Sequence, residues 1–340
     1  MRLYDNTRLS DFKRCPRLFF FRHVLNWNPK GTKAPLVFGS AWHSAMEVVW
    51  GNLAKIEKDK QGVVKAAYAA FLKTWQDEGM DFPLSYEQEK DLSPRTPGRA
   101  FEMIAAYVAE RSGRFSDFEI LAIEQPFIVP LDPNDSELFY VGKIDKIVRY
   151  RSKILGIEHK TSTAYAKSGG FRTLFLESFS PNSQVDGYQY ALHMLYPDGL
   201  AGGVWVDAAL VHKEHEAFQF IPVEKQLKYL DSWLWDTKSW ISRVEDEKAN
   251  LCLQTDLDDY MAAFPKNTNS CWDFNSACAY HGICRAWANP LGRSIPEEYV
   301  EEKWDPLDQV KGLKELLSET SDNQGASSGG SPASGRYEAP

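Results

Sequence analysis

The stretch VGKIDKIVRYRSKILGIEHKTST, from Val141 to Thr163, limits this chain's fold more than any other. Its apolar positions are Ile144, Ile147, Val148, Ile154, Leu155 and Ile157, mostly β-branched, and runs of this kind read as strands buried on at least one face. A tight turn on Arg151-Ser152 joins the two strands in this reading. Tyr150 then faces Lys153, and counting back sets Asp145 opposite Glu158, roughly 4.5–5.5 Å apart at Cβ. Glu158 and Lys160 are two apart and share a face. Two carboxylates and an ammonium therefore converge where core is expected. Bare carboxylates that close repel, and one pKa rises. A divalent cation holds both ionised, and hard oxygen ligands with room for waters suit Mg²⁺ or Mn²⁺. Such an ion acidifies water and stabilises charge on a phosphate oxygen, and a neighbouring lysine neutralises developing charge. From the hairpin alone, a solvated face with a surface ion pair accounts for these residues as well. The apolar neighbours argue for burial.

The period of the sequence changes along the chain. Short helices are expected from Ser10 to about Val24, with Pro16 at a first helical position. FGSAWHSAMEVVWGNLAKIEK carries Trp42, Met46, Val49 and Leu53 at helical steps. VVKAAYAAFLKTWQDEG and GRAFEMIAAYVAERSG read as further helices, separated by a Pro-containing segment from Asp91 to Gly98. FEILAIEQPFIVPL, the hairpin, GGVWVDAALVHK and AFQFIPV read as strands. SPNSQVDGYQYALHMLYPDG is a helix bounded by Ser-Pro and Pro-Asp-Gly, and a long amphipathic helix follows from about Val223. These readings divide 340 residues into a helical lobe (1–115), an α/β core (116–250), a cysteine segment (251–318) and a polar, Gly/Ser/Pro-rich tail (319–340) expected to be disordered. No apolar run is long enough for a membrane span. The first residues lack the apolar region of a secretory signal, so a cytoplasmic protein is expected.

GKIDKI followed by GIEHKT resembles the D…ExK core of the PD-(D/E)xK nuclease superfamily, and specifically its RecB-like branch. Ile144 stands where the motif's proline would be, a frequent replacement in that branch. The resemblance implies an α/β, restriction-endonuclease-like core, with a mixed central sheet flanked by helices, a helical N-terminal lobe and a cysteine-stapled C-terminal segment. It implies metal ligation by His43 (in FGSAWHSAME), Asp145, Glu158 and the carbonyl of His159, whose side chain is then free to vary. It implies catalytic roles for Asp145, Glu158 and Lys160, and bracing by Gln184 and Tyr188, one helical turn apart. Glu124 matches an acidic position found near there in branch members. Taken singly, a lone helical histidine or an amphipathic helix with a polar edge explains His43, or Gln184 and Tyr188, without any site.

Of five cysteines, Cys271, Cys278 and Cys284 crowd together, and Cys15 lies far upstream. Disulfides are not expected in a cytosolic chain. One cysteine before the core and three after it is similar to the iron–sulfur members of the branch, such as the AddB nuclease domain and the exonucleases of CRISPR adaptation. Those space the first two of the trio more closely than the six intervening residues here. The resemblance implies a 4Fe–4S cluster that staples both ends of the chain. Zinc, with His281 as an alternate ligand, is the competing reading. Cys252 has no partner spacing.

The net charge of −8 argues against indiscriminate nucleic-acid binding. Yet KRCPRLFFFRHVLNW interleaves cations with aromatic rings, which fits either stacking on unpaired bases or an ordinary helix with Phe19, Phe20 and Phe21 in the core. The resemblance implies exonuclease action on single-stranded DNA in repair, recombination or phage- or CRISPR-related processing. No phosphate loop occurs, so a motor would be borrowed from a separate helicase or a recombination or CRISPR partner. Two other classes stay open: a catalytically silent DNA-binding or adaptor protein of the same fold, and a zinc-stapled interaction module.

Overall fold

The computed structural model describes residues 1–309, apart from 32, 168 and 274–275. The expected tail over 319–340, and the end of the cysteine segment, lie outside the described residues. In chain order, β1 (Arg2–Tyr4) leads into α1 (Asn6–Arg14), α2 (Pro16–Phe19), a π-helical turn (Phe20–Val24) and β2 (Trp27–Pro29). The helices α3 (Ala34–Gly51), α4 (Leu53–Ile56), α5 (Lys60–Asp77), α6 (Tyr86–Leu92) and α7 (Pro97–Arg111) follow. Then come β3 (Phe118–Pro130), β4 (Leu138–Tyr150), β5 (Lys153–Ser162), α8 (Thr173–Glu177), α9 (Ser183–Leu195), β6 (Ala201–Leu210), β7 (Phe218–Val223) and α10 (Leu227–Leu251). The C-terminal segment carries β8 (Trp272–Asp273), β9 (Ser276–Ala277), α11 (His281–Ala286) and β10 (Tyr299–Glu301).

The main sheet is mixed and runs β1-β4-β5-β6-β7, with β3 also on β4. Arg151 turns the β4–β5 hairpin in the left-handed region, with φ 55°, and Tyr150 pairs with Lys153 as the sequence suggests. Antiparallel pairing continues back to Lys146 with Ile157. Asp145 and Glu158 are the next residues, just where the ladder stops. β3 occupies one edge of β4 along most of its length. The other edge is shared by β5 at one end and by β1, parallel, at Leu138–Tyr140. Residues 141–145 lie between those two ladders, so the sheet opens a gap ending at Asp145.

Both faces of the hairpin are covered. Ile144, Ile147 and Ile154 pack in a layer with α1, α2, α9 and α10, and Val148, Leu155 and Ile157 pack in a layer with α3, α5 and α7. The expected N-terminal lobe thus contributes to both layers. The close approach of α9 to β4 depends on Gly187: a Cβ there would sit 2.7 Å from the Tyr140 hydroxyl and 2.9 Å from the Trp233 ring. Phe19, Phe20 and Phe21 are at most 1 % exposed, and Arg17 is buried. Arg17 donates to the carbonyls of Phe264 (2.9 Å) and Met261 (3.0 Å). The basic–aromatic stretch is therefore spent on core and on tying the N-terminal helices to the C-terminal segment. Among the described residues no helix is long and apolar enough to cross a membrane.

Candidate active site

The site has two adjoining halves. On the α3 side, burial of Trp42, Met46 and Val49 fixes the rotation of the helix. His43 then comes to the sheet gap with Nδ1 3.2 Å from Asp145 Oδ2. Burial works against the Asp145 carboxylate, but His43, by charge and hydrogen bond, and then Lys146 hold its pKa well below the usual range. Glu124 on β3 takes the left-handed region, with φ 52°, a conformation that costs of order 1 kcal/mol for a residue with a side chain. There it ion-pairs with Lys143 and joins His43 and Asp145, with ligand atoms all within 4.8 Å of one another. Glu47, one turn beyond His43, lines the same cleft of about 390 Å³. Burial, then the charge of Glu124, raises the Glu47 pKa.

On the α9 side, Asn182 caps the helix by accepting from the amides of Gln184 (3.1 Å) and Val185 (3.2 Å). This cap sets Gln184 in the first turn, facing β5. Gln184 Oε1 accepts from Lys160 Nζ (3.1 Å), and its Nε2 donates to Glu158 Oε1 (3.2 Å) and to the Tyr188 hydroxyl (3.0 Å). Lys160 also ion-pairs with Glu158. Burial, then the negative charge of Asp145, raises the Glu158 pKa against Lys160. Burial opposes the Lys160 charge, but Glu158 more than offsets it, and the ammonium persists. Glu158 Oε2 is buried and has no hydrogen-bond partner among the described residues.

The halves meet at His159, whose backbone amide donates to Asp145 Oδ2 (2.8 Å). The side chain is not free to vary, contrary to expectation, because it is fully buried. Its ring lies edge-on to Trp50 and to His43, with Nδ1 3.3 Å from Asp207. Burial, then Lys146, lowers its pKa to about 4, so the imidazole stays neutral. Asp207 also accepts from the Tyr107 hydroxyl and pairs with Arg111 at 3.1 Å, both groups essentially excluded from solvent.

The arrangement offers hard oxygen ligands, one imidazole nitrogen and an orphaned buried carboxylate oxygen, a donor set suited to a divalent ion. A lysine held by a glutamine stands beside it. The sequence profile of the PD-(D/E)XK nuclease superfamily matches residues 6–285. The chain belongs to this superfamily. Among solved structures, the nuclease is similar to a candidate exonuclease from Eubacterium rectale at 13 % identity, covering 89 % of this chain and 92 % of that one, with a TM-score of 0.46. It is also similar to SSO0001 at 13 % identity, covering 70 % and 75 %, with a TM-score of 0.26. No curated protein matches the chain.

The structure thus brings His43, Asp145, Glu158, His159, Lys160, Gln184 and Tyr188 together. It differs from the expected ligand set in emphasis. Glu124, outside the ligand set the resemblance implies, joins the compact ligand cluster of the nuclease, and Glu158 is drawn toward Lys160 and Gln184. Glu47, Lys146, Arg111 and Asp207 were missed. Glu47 carries a legible signal, four residues after His43 on the same helix.

The four grouped cysteines also converge. Cys15, at the N-cap of α2, and Cys271, Cys278 and Cys284 line one small cavity with Arg17, Tyr280 and His281. The Cys15 sulfur accepts from the amide of Asn267 at 3.3 Å. Burial raises the Cys278 and Cys284 thiols, and the charges of Cys15 and Cys271 add to it. Cys252 is exposed and is not among the residues lining that cavity.

Proposed function

We propose that this nuclease is a Mg²⁺- or Mn²⁺-dependent exonuclease that hydrolyses phosphodiester bonds at single-stranded DNA ends. The observation that carries the reading is the junction of the two halves at the sheet gap: carboxylates and an imidazole on one side, a glutamine-held lysine on the other. The ligands would be His43, Asp145 and Glu158 with the His159 carbonyl, and Glu124 stands ready to join them. The orphaned Glu158 oxygen fits that role, because a buried carboxylate oxygen without a partner is costly. The ion, when bound, polarises a phosphate oxygen and acidifies water.

The chain's own residues do the rest. Asp145 is kept ionised by His43 and by the His159 amide. Gln184 holds Lys160 and Glu158 together and fixes the ammonium's direction. Lys160 orients the attacking water and offsets charge building on the phosphate. Tyr188 anchors Gln184. No phosphate loop lies in the sequence, so a separate helicase, or a recombination or CRISPR partner, would supply the single strand.

We also assign the four cysteines to a 4Fe–4S cluster. Among the described residues no three of their sulfurs lie within 4.8 Å of one another. The spacing of one cysteine before the core and three after it, all four lining one cavity, supports the cluster reading. The test of function is digestion of single-stranded DNA labelled at either end, with and without Mg²⁺ or Mn²⁺. Lys160→Ala should abolish cleavage while largely sparing DNA binding. Undiminished cleavage by that variant would refute the mechanism, and metal-independent binding without cleavage by the wild type would indicate a silent adaptor.

A further inference from the structure

With the Phe19–Phe21 rings buried, the chain's contact with unpaired bases must be sought elsewhere. The three residues after Lys160 lead directly into a closed turn. Tyr165 bridges to Phe171, the Ala166 amide donates to the Gly170 carbonyl (3.0 Å), and the Arg172 amide donates to that of Ala164 (2.8 Å). Gly169 and Gly170 make its tip at φ 94° and 75°, a backbone that favours glycine. Beside it, the Val211 amide donates to the Ser162 carbonyl (2.8 Å), which brings the segment after β6 against the turn. Here three rings lie nearly parallel. Tyr165 and His212 have centroids 4.4 Å apart, His212 and His215 5.1 Å, and Tyr165 and His215 5.7 Å, with interplanar angles of 29°, 7° and 22°. The inner edge of Tyr165 packs on a small apolar cluster with Phe171 and Leu210. The His215 side chain at the outer edge is 54 % exposed.

We propose that the Tyr165, His212 and His215 rings form a base-stacking platform for the single strand that the active site cuts. This deepens the function proposed above and rests on it. The surroundings suit a polyanion. Arg95 donates to the Thr163 hydroxyl (3.4 Å), Arg172 Nε donates to the Tyr165 carbonyl (3.0 Å), and Lys167 and Lys213 are exposed. The acidic groups on the same loop are Glu214, 4.0 Å from His215, and Glu216, which shares Arg99 with Glu102. Thr163 lies three residues beyond Lys160, about 10 Å at the rise of a strand. These rings are therefore within reach of a strand with a phosphate at Lys160. Aromatic rings accept any base face without reading its edge, which suits a nuclease that must advance through arbitrary sequence.

The test measures fluorescence anisotropy of the full chain in EDTA, so that nothing is cut. The probes are a labelled oligothymidylate of about 20 nucleotides, longer than a single stacking site, and an abasic oligonucleotide of equal length and charge. The wild type should bind the thymidylate about tenfold or more tightly than the abasic chain. His212→Ala/His215→Ala should lose about 5- to 100-fold in thymidylate affinity and erase the preference. His215→Trp should keep or sharpen it, which a merely structural role for the histidine would not. Equal affinity of the wild type for both probes overturns the platform, as does a preference retained by the double variant, and either leaves the nuclease reading intact. A wild type that prefers bases yet cuts no DNA with Mg²⁺ or Mn²⁺ keeps the platform and removes the nuclease reading.

Discussion

Asp207 offers the sharpest test of how this site is supported. One carboxylate on β6 serves three buried groups: the Arg111 guanidinium at 3.1 Å, the Tyr107 hydroxyl and His159 Nδ1 at 3.3 Å. Asp207→Ala leaves the guanidinium at 3 % exposure with no carboxylate beside it, still lying over the rings of Phe220 at 4.0 Å and Tyr107 at 5.8 Å. Breaking a buried pair by removing one partner costs about 3–5 kcal/mol. For a chain of this size each kcal/mol shifts the melting temperature by roughly 2 °C, so scanning calorimetry should show a fall of roughly 6–10 °C. Arg111→Met added to Asp207→Ala removes the stranded charge and should recover at least half of that loss, a non-additivity expected only for groups in contact. Catalysis should suffer as well, because His159 carries the amide that holds Asp145 (2.8 Å). A fall below about 2 °C, or a double variant as unstable as the sum of the single ones, would show that the network does not carry the load assigned to it.

Three further outcomes are expected. Gln184→Leu removes the bonds to Lys160 and Glu158 and should lower the cleavage rate about 10- to 100-fold, as loss of a supporting partner does, whereas Tyr188→Phe should cost less; equal effects would refute the bridging role of Gln184. Because burial and the charge of Asp145 raise the Glu158 pKa, and Asp145, against burial, raises that of His43, metal binding must displace protons from these ligands. Affinity for Mn²⁺ by calorimetry should therefore rise with pH and be accompanied by proton release, and Glu158→Gln should lower the number of protons released; an unchanged proton count counts against Glu158 as a ligand. Protein purified without air should be brown and hold about four irons per chain, and Cys284→Ser should lose colour and iron together; a colourless protein with stoichiometric zinc would replace the cluster.

What the sequence made legible, and what it hid, follows from how far apart the determining residues lie. The β4–β5 register depends on one turn and on alternation within 23 residues, so local rules suffice, and Asp145 falls beside Glu158. The spacing of Gln184 and Tyr188 is equally local. β1 escaped notice because three residues carry no period, and its partner, Leu138–Tyr140, lies more than 130 positions away. The network around Asp207 escaped for the same reason. An aspartate in an apolar strand reads as a misfit until Arg111, from a helix distant in sequence, cancels it. The Phe19–Phe21 run was ambiguous because rings that stack on bases and rings that fill a core share one composition. Only burial separates the two, and it assigns those rings to the core.

The ambiguity over Glu124 has a different origin. Its neighbours on β3 read as ordinary strand, and nothing local announces a left-handed backbone at φ 52°. That conformation interrupts the pairing of β3 with β4 opposite Asp145: Ile123 pairs with Lys146 and Gln125 with Ile144. A strand would avoid such a cost unless the displaced carboxylate were useful, and strained residues cluster at functional sites for this reason. If the strain serves ligation, Glu124→Gln should weaken Mn²⁺ binding at least tenfold while leaving the melting temperature of the metal-free protein within about 2 °C, since most substitutions with large stability effects act through packing or buried charge. If instead Glu124 only neutralises Lys143 and Lys146 (ion pairs on either side of it), the same variant should lower the melting temperature and leave metal affinity alone. The two readings predict a change in different measurements, so one variant decides whether the bend in β3 belongs to the metal or to the fold.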